Sequence, residues 1–416
     1  VKKHAPISAA LVLLSTAWGL AGPVTTVPWN GYPGAVSFTF DDGLGSQITN
    51  VMPALRARKI NATFFVIGAN WSFWSNPSAW LTAAKAGDEI ANHTVDHATL
   101  TTLTSAQITT EIANWADTLR SEDTSIQAVT MAYPGCATNT TVDNIANTEN
   151  IIARVCSSNT PYGWTTKPSN WMEMNAIYVS DDATATGAAL TSIDAARNDA
   201  WLTTLNHGVS GDYLTVTTAN VQAMFDRAIK DSLWIATYGT VAAYWRASFT
   251  MDAVTASGSG PWAVAWTSPH PKMPRHVMLK VKLATATFGD APVVAQGGNT
   301  VAPNADGSYT IDFMKLGMTI AKKGTSELSP LSVLSPGSVR ANLSGSSLLL
   351  DGLPSGFYRI EIRTLSGAVS AKSNLRATDG VQSKMALPTG LPHQVHVVLV
   401  QDLGASGWIT VAPLLP

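Results

Sequence analysis

Charge is scarce in this chain. Only 13% of its 416 residues are Asp, Glu, Lys or Arg, and the formal net charge is -2. A nucleic-acid partner needs a basic footprint to displace counterions from phosphates, and none is present. Cysteine is scarcer still: Cys136 and Cys156 are the only two. Without a CxxC, a thiolate metal site lacks its usual pattern, and in an oxidising compartment the pair is expected to form a disulfide. Long apolar runs are also missing, with one exception. Lys2 and Lys3 precede a mainly apolar run from Ile7 to Leu20, and Gly19-Leu20-Ala21 puts small residues at a cleavage position. The run is too short to span a bilayer comfortably and reads as a signal peptide over 1–21, which predicts a secreted or periplasmic protein with no membrane span in the mature chain. A GxGxxG fingerprint is absent too, and two adjacent acids after the first strand would repel a pyrophosphate.

What is present is strand–helix alternation over residues 22–250. Ala35–Phe40 reads as a strand, Gln47–Lys59 as a helix that either absorbs Pro53 or starts late because of it, and Asn61–Gly68 as a second strand. Further strands are predicted near 88–91, 127–131, 151–155, 176–180, 201–206 and 233–237. The early strands are apolar without alternation, as expected for burial on both faces. The pattern predicts an α/β fold, a distorted barrel of parallel strands with its site at the strands' C-terminal ends; a flat doubly wound sheet is the alternative. Residues 251–270 are rich in Gly, Ser and Pro and read as a linker. From 271 to 416, short strand-like runs separated by turn signals predict an all-β, sandwich-like region, either one unit or two small β modules.

The first strand ends in Asp41-Asp42-Gly43. Like charges at the end of a buried strand repel each other and resist desolvation, and a cation removes that penalty. Asn92-His93-Thr94-Val95-Asp96-His97 follows the third strand. Two histidines four apart share a face if the segment makes a helical turn. With one aspartate they complete a two-histidine, one-carboxylate set that suits zinc, with cobalt or nickel as substitutes, and leaves a position open. Adjacent residues on an extended segment point apart, so one acid is expected to bind the ion and the other to face the attacking water as a base. Leu205-Asn206-His207-Gly208 ends a late strand; His207 reads as a proton donor, a further metal ligand or a structural residue.

Thr39-Phe40-Asp41-Asp42-Gly43, His93-Thr94-Val95-Asp96-His97 and Leu205-Asn206-His207 resemble the motifs of the polysaccharide deacetylase (NodB-like) family, carbohydrate esterase family 4, over roughly residues 30–245. The resemblance implies a NodB-type distorted (β/α) barrel and a zinc-dependent enzyme that removes acetyl groups from an N-acetylated glycan, chitin-like or peptidoglycan-like. An O-acetylxylan esterase would carry the same residues, and a catalytically weakened glycan-binding protein is the third reading. By resemblance, Asp41 is the general base, Asp42, His93 and His97 hold the metal, and His207 is the general acid. The family's third motif departs here: Ala132-Tyr133-Pro134-Gly135 has Ala132 where the base-orienting arginine belongs and Gly135 where an aromatic belongs. The Gly135 backbone N–H is still expected to serve an oxyanion, Tyr133 to touch substrate, and a basic residue from elsewhere is one way to steady Asp41. The fourth motif is not recognisable, which leaves Asp182 and Asp199 as candidates to orient His207. Trp71, Phe73, Trp74 and Trp80 either stack sugar rings beside the metal or fold as an apolar loop over the barrel; Trp71 and Trp74 are the expected substrate contacts.

Overall fold

The computed structural model describes residues 22–69, 71–156, 160–180, 183–256, 260–323 and, between 340 and 414, the strands. The expected signal segment, 1–21, lies outside the described residues.

A nine-stranded sheet forms the centre. Its strands are β2 (Ala35–Asp42), β3 (Thr63–Val66), β4 (Glu89–Asn92), β5 (Thr130–Ala132), β6 (Ile152–Arg154), β7 (Tyr162–Gly163), β8 (Ile177–Tyr178), β9 (Ala200–Asn206) and β10 (Trp234–Ile235); β1 (Val24–Thr26) belongs to another sheet. The order is β6-β5-β4-β3-β2-β9-β7, with β8 parallel to the end of β9 and β10 parallel to the start of β2. All pairings are parallel except β7 with β9. The two ends of the sheet are bridged by residues 171–179. Ala153 N–H donates to the Trp171 carbonyl (2.9 Å), Val155 N–H to that of Met174 (2.8 Å), and Val179 N–H to that of Leu205 (2.9 Å). The sheet thus curls into a distorted barrel.

β2 is buried along its whole length. Val36, Phe38 and Phe40 face the helical layer, where Phe38 meets Phe225 of the helix Thr218–Lys230 edge-on with ring centroids 4.7 Å apart. Ala35 faces the interior, and Ser37 accepts a hydrogen bond there from the Trp201 indole (3.1 Å). The first expected helix is split: an irregular turn, Gln47–Val51, leads into Met52–Arg58. Pro53 therefore sits in the helix's first turn, where its missing N–H costs no bond.

The β-rich part takes in more of the preceding chain than expected. β1, in a stretch expected to be an irregular lead-in, pairs antiparallel with Met278–Leu283 (β12), which pairs with Tyr309–Asp312 (β15). Trp262–Ala265 (β11), inside the expected linker, pairs with Gly317–Ala321 (β16), which continues to Val293–Gln296 (β13) and Asn299–Val301 (β14). Trp262, Leu279 and Ile320 from these sheets, with Phe288 from the short helix Thr285–Phe288, share one apolar core with Trp29, Tyr244 and Trp245. Beyond residue 340 the strands form two further antiparallel sheets.

Candidate metal centre and active site

The parallel register brings the site together. Asp42 pairs with Val66 and Val66 with Asn92, while Asn92 lies opposite Met131 and Ala132 opposite Arg154. On the other side Phe40 pairs with Asn206. Asp41, Asp42, His93, Ala132, Arg154 and His207 therefore all lie at or just past strand C-terminal ends, where barrel sites form.

Asp42 adopts a left-handed conformation (φ 75°), which ends the strand's alternation. The two acids do not point apart: His93 Nε2 lies 3.2 Å from Asp42 Oδ1 and 3.9 Å from Asp41 Oδ2. Gly43 follows, also at positive φ, and a Cβ there would collide with the Ser72 hydroxyl. That hydroxyl donates to the Asp42 carbonyl (2.5 Å) and accepts from Ile67 N–H (3.0 Å), fixing the turn.

His93 and His97 converge without a helical turn. Thr94 (φ 68°) and His97 (φ 57°) are both left-handed, a conformation that costs energy in non-glycine residues and persists only when surroundings enforce it. Asn92 Oδ1 accepts from Thr94 N–H (2.8 Å), Thr94 Oγ1 from His97 N–H (3.1 Å), and Glu111 Oε2 from Asp96 N–H (3.0 Å). The imidazoles lie 4.8 Å apart. His93 Nδ1–H donates to the Ala132 carbonyl (2.8 Å), which leaves the Nε2 lone pair facing Asp42. His97 Nε2 is 3.5 Å from the same Asp42 Oδ1.

One ligand atom from each of Asp42, His93 and His97 thus falls within 4.8 Å of the others. Asp42 Oδ1 is buried without a hydrogen bond, an arrangement of orphaned acceptors that a divalent cation satisfies. Burial pushes the Asp42 carboxyl up, but the histidines beside it and the Tyr213 hydroxyl outweigh that and hold it well below the usual carboxylate range. Burial and neighbouring His93 push His97 down, towards the neutral form that binds metal.

Asp41 is gripped by an arginine that the motif reading did not find. Arg154 Nη2 donates to both Asp41 oxygens at 2.5 Å, with the arginine only 1% exposed and its guanidinium 5.2 Å from the centre of the Phe65 ring. β6 lies four strand steps from β2, ~19 Å along the sheet at ~4.8 Å per step. No side chain spans that distance, so the contact crosses the barrel interior and depends on the curl. Arg154 pairs in register with Ala132, the position where the resemblance expects the arginine. The cation has moved one strand over.

Gln47, wholly buried, was also missed. Its Nε2 donates to the carbonyls of Asp41 (2.6 Å) and His207 (3.1 Å), tying the ends of β2 and β9 together. His207 Nε2 lies 3.8 Å from Asp42 Oδ2. Tyr178 and Tyr213 stand near its ring, at 5.8 and 6.2 Å between centroids. Tyr213 donates its hydroxyl to Asp42 Oδ2.

Residues 30–151 match the family model described as polysaccharide deacetylase. Over that stretch, less than a third of the chain, it resembles the polysaccharide deacetylase family. Over shorter stretches it is similar to a chitin deacetylase from Pestalotiopsis sp, 33% identical over 90 residues, or 21% of this chain and 30% of that one. A peptidoglycan-N-acetylmuramic acid deacetylase from Bacillus subtilis is 32% identical over 83 residues, or 20% of this chain and 17% of that one. The chain thus spans less than a third of the length of either relative. A family 4 carbohydrate esterase from Streptomyces lividans, solved with acetate, aligns with 48% of this chain and 91% of its own at 20% identity and a TM-score of 0.37.

Other expectations drawn from the deacetylase resemblance need revision. Tyr133 is 2% exposed and its hydroxyl donates to Asp143 (3.0 Å). Ala132 faces the interior, so strand alternation turns Tyr133 outward into the helical layer beside Val142 and Ala146, where its side chain is buried. Gly135 sits in the turn beyond it at φ 58°. Phe73 and Trp80 are wholly buried, whereas Trp71 (53%) and Trp74 (39%) are exposed on either side of Ser72 and Phe73, and Ser72 is the residue whose hydroxyl holds the Asp42 carbonyl. Asp199 precedes β9, at the opposite end from His207, ~23 Å away along a seven-residue strand. It cannot orient that imidazole. Asp182 lies outside the described residues, and His207 Nδ1 has no hydrogen-bond partner among them.

Cys136 and Cys156 form a disulfide with Cα atoms 5.7 Å apart. The bridge links the turn after Ala132 to the chain just past Arg154, so it clamps the His93 support and the Asp41 support to each other. Replacing both cysteines with serine is expected to lower stability by ~2–4 kcal/mol, read from urea unfolding with midpoint and slope both fitted, because the unbridged unfolded chain is less compact.

Proposed function

We propose that this protein is a metal-dependent hydrolase that removes acetyl groups from an N-acetylated glycan, chitin-like or peptidoglycan-like. The observation that carries the reading is the meeting, at one barrel mouth, of an arginine-held Asp41 with the Asp42, His93 and His97 cluster and His207. A divalent ion held by Asp42, His93 and His97, zinc by preference, would supply Lewis acidity to the acetyl carbonyl and acidify the attacking water. Asp41 accepts the water's proton at its carboxylate, and Arg154 keeps that carboxylate aimed. The Gly135 backbone N–H assists the developing oxyanion. His207 delivers a proton from Nε2 to the departing amine nitrogen. Trp71 and Trp74 offer exposed rings against which sugars stack.

The relatives named as chitin and peptidoglycan deacetylases support an amide substrate. Ala132 was the main support for a weakened, merely glycan-binding protein, and Arg154 removes it. The disulfide fits an exported protein. Acetate release from chitin oligosaccharides, peptidoglycan fragments and acetylated xylan, with and without a chelator, tests the proposal. Release from an N-acetylated glycan that a chelator abolishes and zinc restores is expected. Release from xylan alone would make the protein an O-acetyl esterase, and release from none would sink the hydrolase reading.

A further inference from the structure

The Asp42 carboxylate is shared between two sides. Oδ1 faces His93 and His97 at 3.2 and 3.5 Å, while Oδ2 accepts the Tyr213 hydroxyl. Tyr213 belongs to the loop that follows His207, and the loop holds a defined shape. Gly208 N–H donates to the Tyr213 carbonyl (3.2 Å) and Val216 N–H to the Gly208 carbonyl (2.9 Å). A Cβ at Gly208 would strike the Gly211 and Tyr213 carbonyls, so this closure requires glycine. Ser210, Asp212 and Leu214 are all left-handed. The segment after Gly43 anchors the loop from outside: Ser46 N–H donates to Asp212 Oδ2 (2.8 Å), Ser46 Oγ accepts from Val209 N–H (3.0 Å), and Asn50 Nδ2 donates to the Val209 carbonyl (2.7 Å). So much strained backbone, tied at so many points, presents a phenol whose ring is half exposed and packs into no core. What the arrangement delivers is the hydroxyl.

We propose that Tyr213 is a positioning residue for the metal ligand Asp42: by occupying Oδ2 it limits Asp42 to one oxygen, Oδ1, on the ion. The inference rests on the proposed metal centre. A carboxylate with both oxygens free can chelate an ion with either or both, and its geometry drifts. A donor fixed on one oxygen orients the other and leaves the open coordination place open. Nothing in this role requires Tyr213 to change protonation.

The test uses the full-length protein, stripped of metal and titrated with cobalt(II), whose visible absorption weakens as its coordination number rises. Metal affinity is measured in parallel by competition with a chromophoric chelator. Wild type should bind one ion. Tyr213→Phe, which keeps the ring and removes the hydroxyl, should weaken binding at least ~10-fold and lower the visible absorption as Oδ2 swings onto the ion. Leu214→Ala, a change at the exposed neighbour, should alter neither reading. If Tyr213→Phe matches wild type in both affinity and spectrum, or if Leu214→Ala shifts them as far, the assignment to the hydroxyl is wrong. If wild type itself binds no ion, the metal centre fails, a different outcome from either.

Discussion

Replacing Arg154 with methionine should lower kcat by ~100-fold or more and destabilise the fold by ~3–5 kcal/mol, while metal content stays unchanged. Both effects have one source. Asp41 is buried and its ion-pair partner is Arg154. Without the guanidinium, a buried carboxylate is left uncompensated, the costly half of breaking an interior ion pair. The base also loses the group that aims it, and an ångström of misplacement at such a position costs about two orders of magnitude in rate. Metal content holds because Arg154 touches the base and not the ligand cluster. Removing both charges, Asp41→Asn with Arg154→Met, should recover much of the stability and none of the activity. Stability that stays low in the double variant would show that the loss came from packing against Phe65 instead. Because Ala132 and Arg154 are register partners, returning the arginine to position 132 in an Arg154→Ala background should restore part of the rate.

His207→Ala should divide substrates by leaving group. An amine departs poorly without a proton, whereas an alcohol departs more readily, so the variant should lose ~10²–10⁴ in kcat on an N-acetyl glycan and much less on an activated O-acetyl ester. Zinc affinity should change little, since the ligand cluster does not include His207. Equal losses on amide and ester would remove the acid role. Loss of the metal would return His207 to the status of a ligand.

The site was legible in the sequence where chemistry and local pattern coincide. Asp41, Asp42, His93, His97 and His207 stand at the ends of strands that their own apolar runs announce, and a parallel register then collects them. Arg154 was not legible in that way. It touches Asp41 across 113 residues and the barrel interior, and closure of a sheet leaves no local trace. A signal existed nonetheless: Ile151-Ile152-Ala153-Arg154-Val155 is an apolar run interrupted by one arginine, and a buried arginine needs a buried acid. Tyr133 was misplaced because the motif gives its position but not its face; one step of strand alternation sends it into the helical layer. His93 and His97 share a face without the helical turn that four-residue spacing allows, because Asn92, Glu111 and Thr94 side chains accept from the Thr94, Asp96 and His97 N–H groups and hold an irregular turn instead. In the β-rich part, β1 is three residues long and β11 lies within a Gly- and Pro-rich stretch, so neither produced a run long enough to read as a strand.

The most direct measurement is the metal content of the purified protein after zinc loading and desalting, for wild type, Asp42→Ala and Asp41→Asn. The two acids are neighbours in sequence and face one histidine, yet only one is assigned to the ion. Wild type and Asp41→Asn should each retain about one zinc per chain, with Asp41→Asn inactive, and Asp42→Ala should retain almost none. Zinc lost with Asp41→Asn and kept with Asp42→Ala would contradict the assignment of ligand and base.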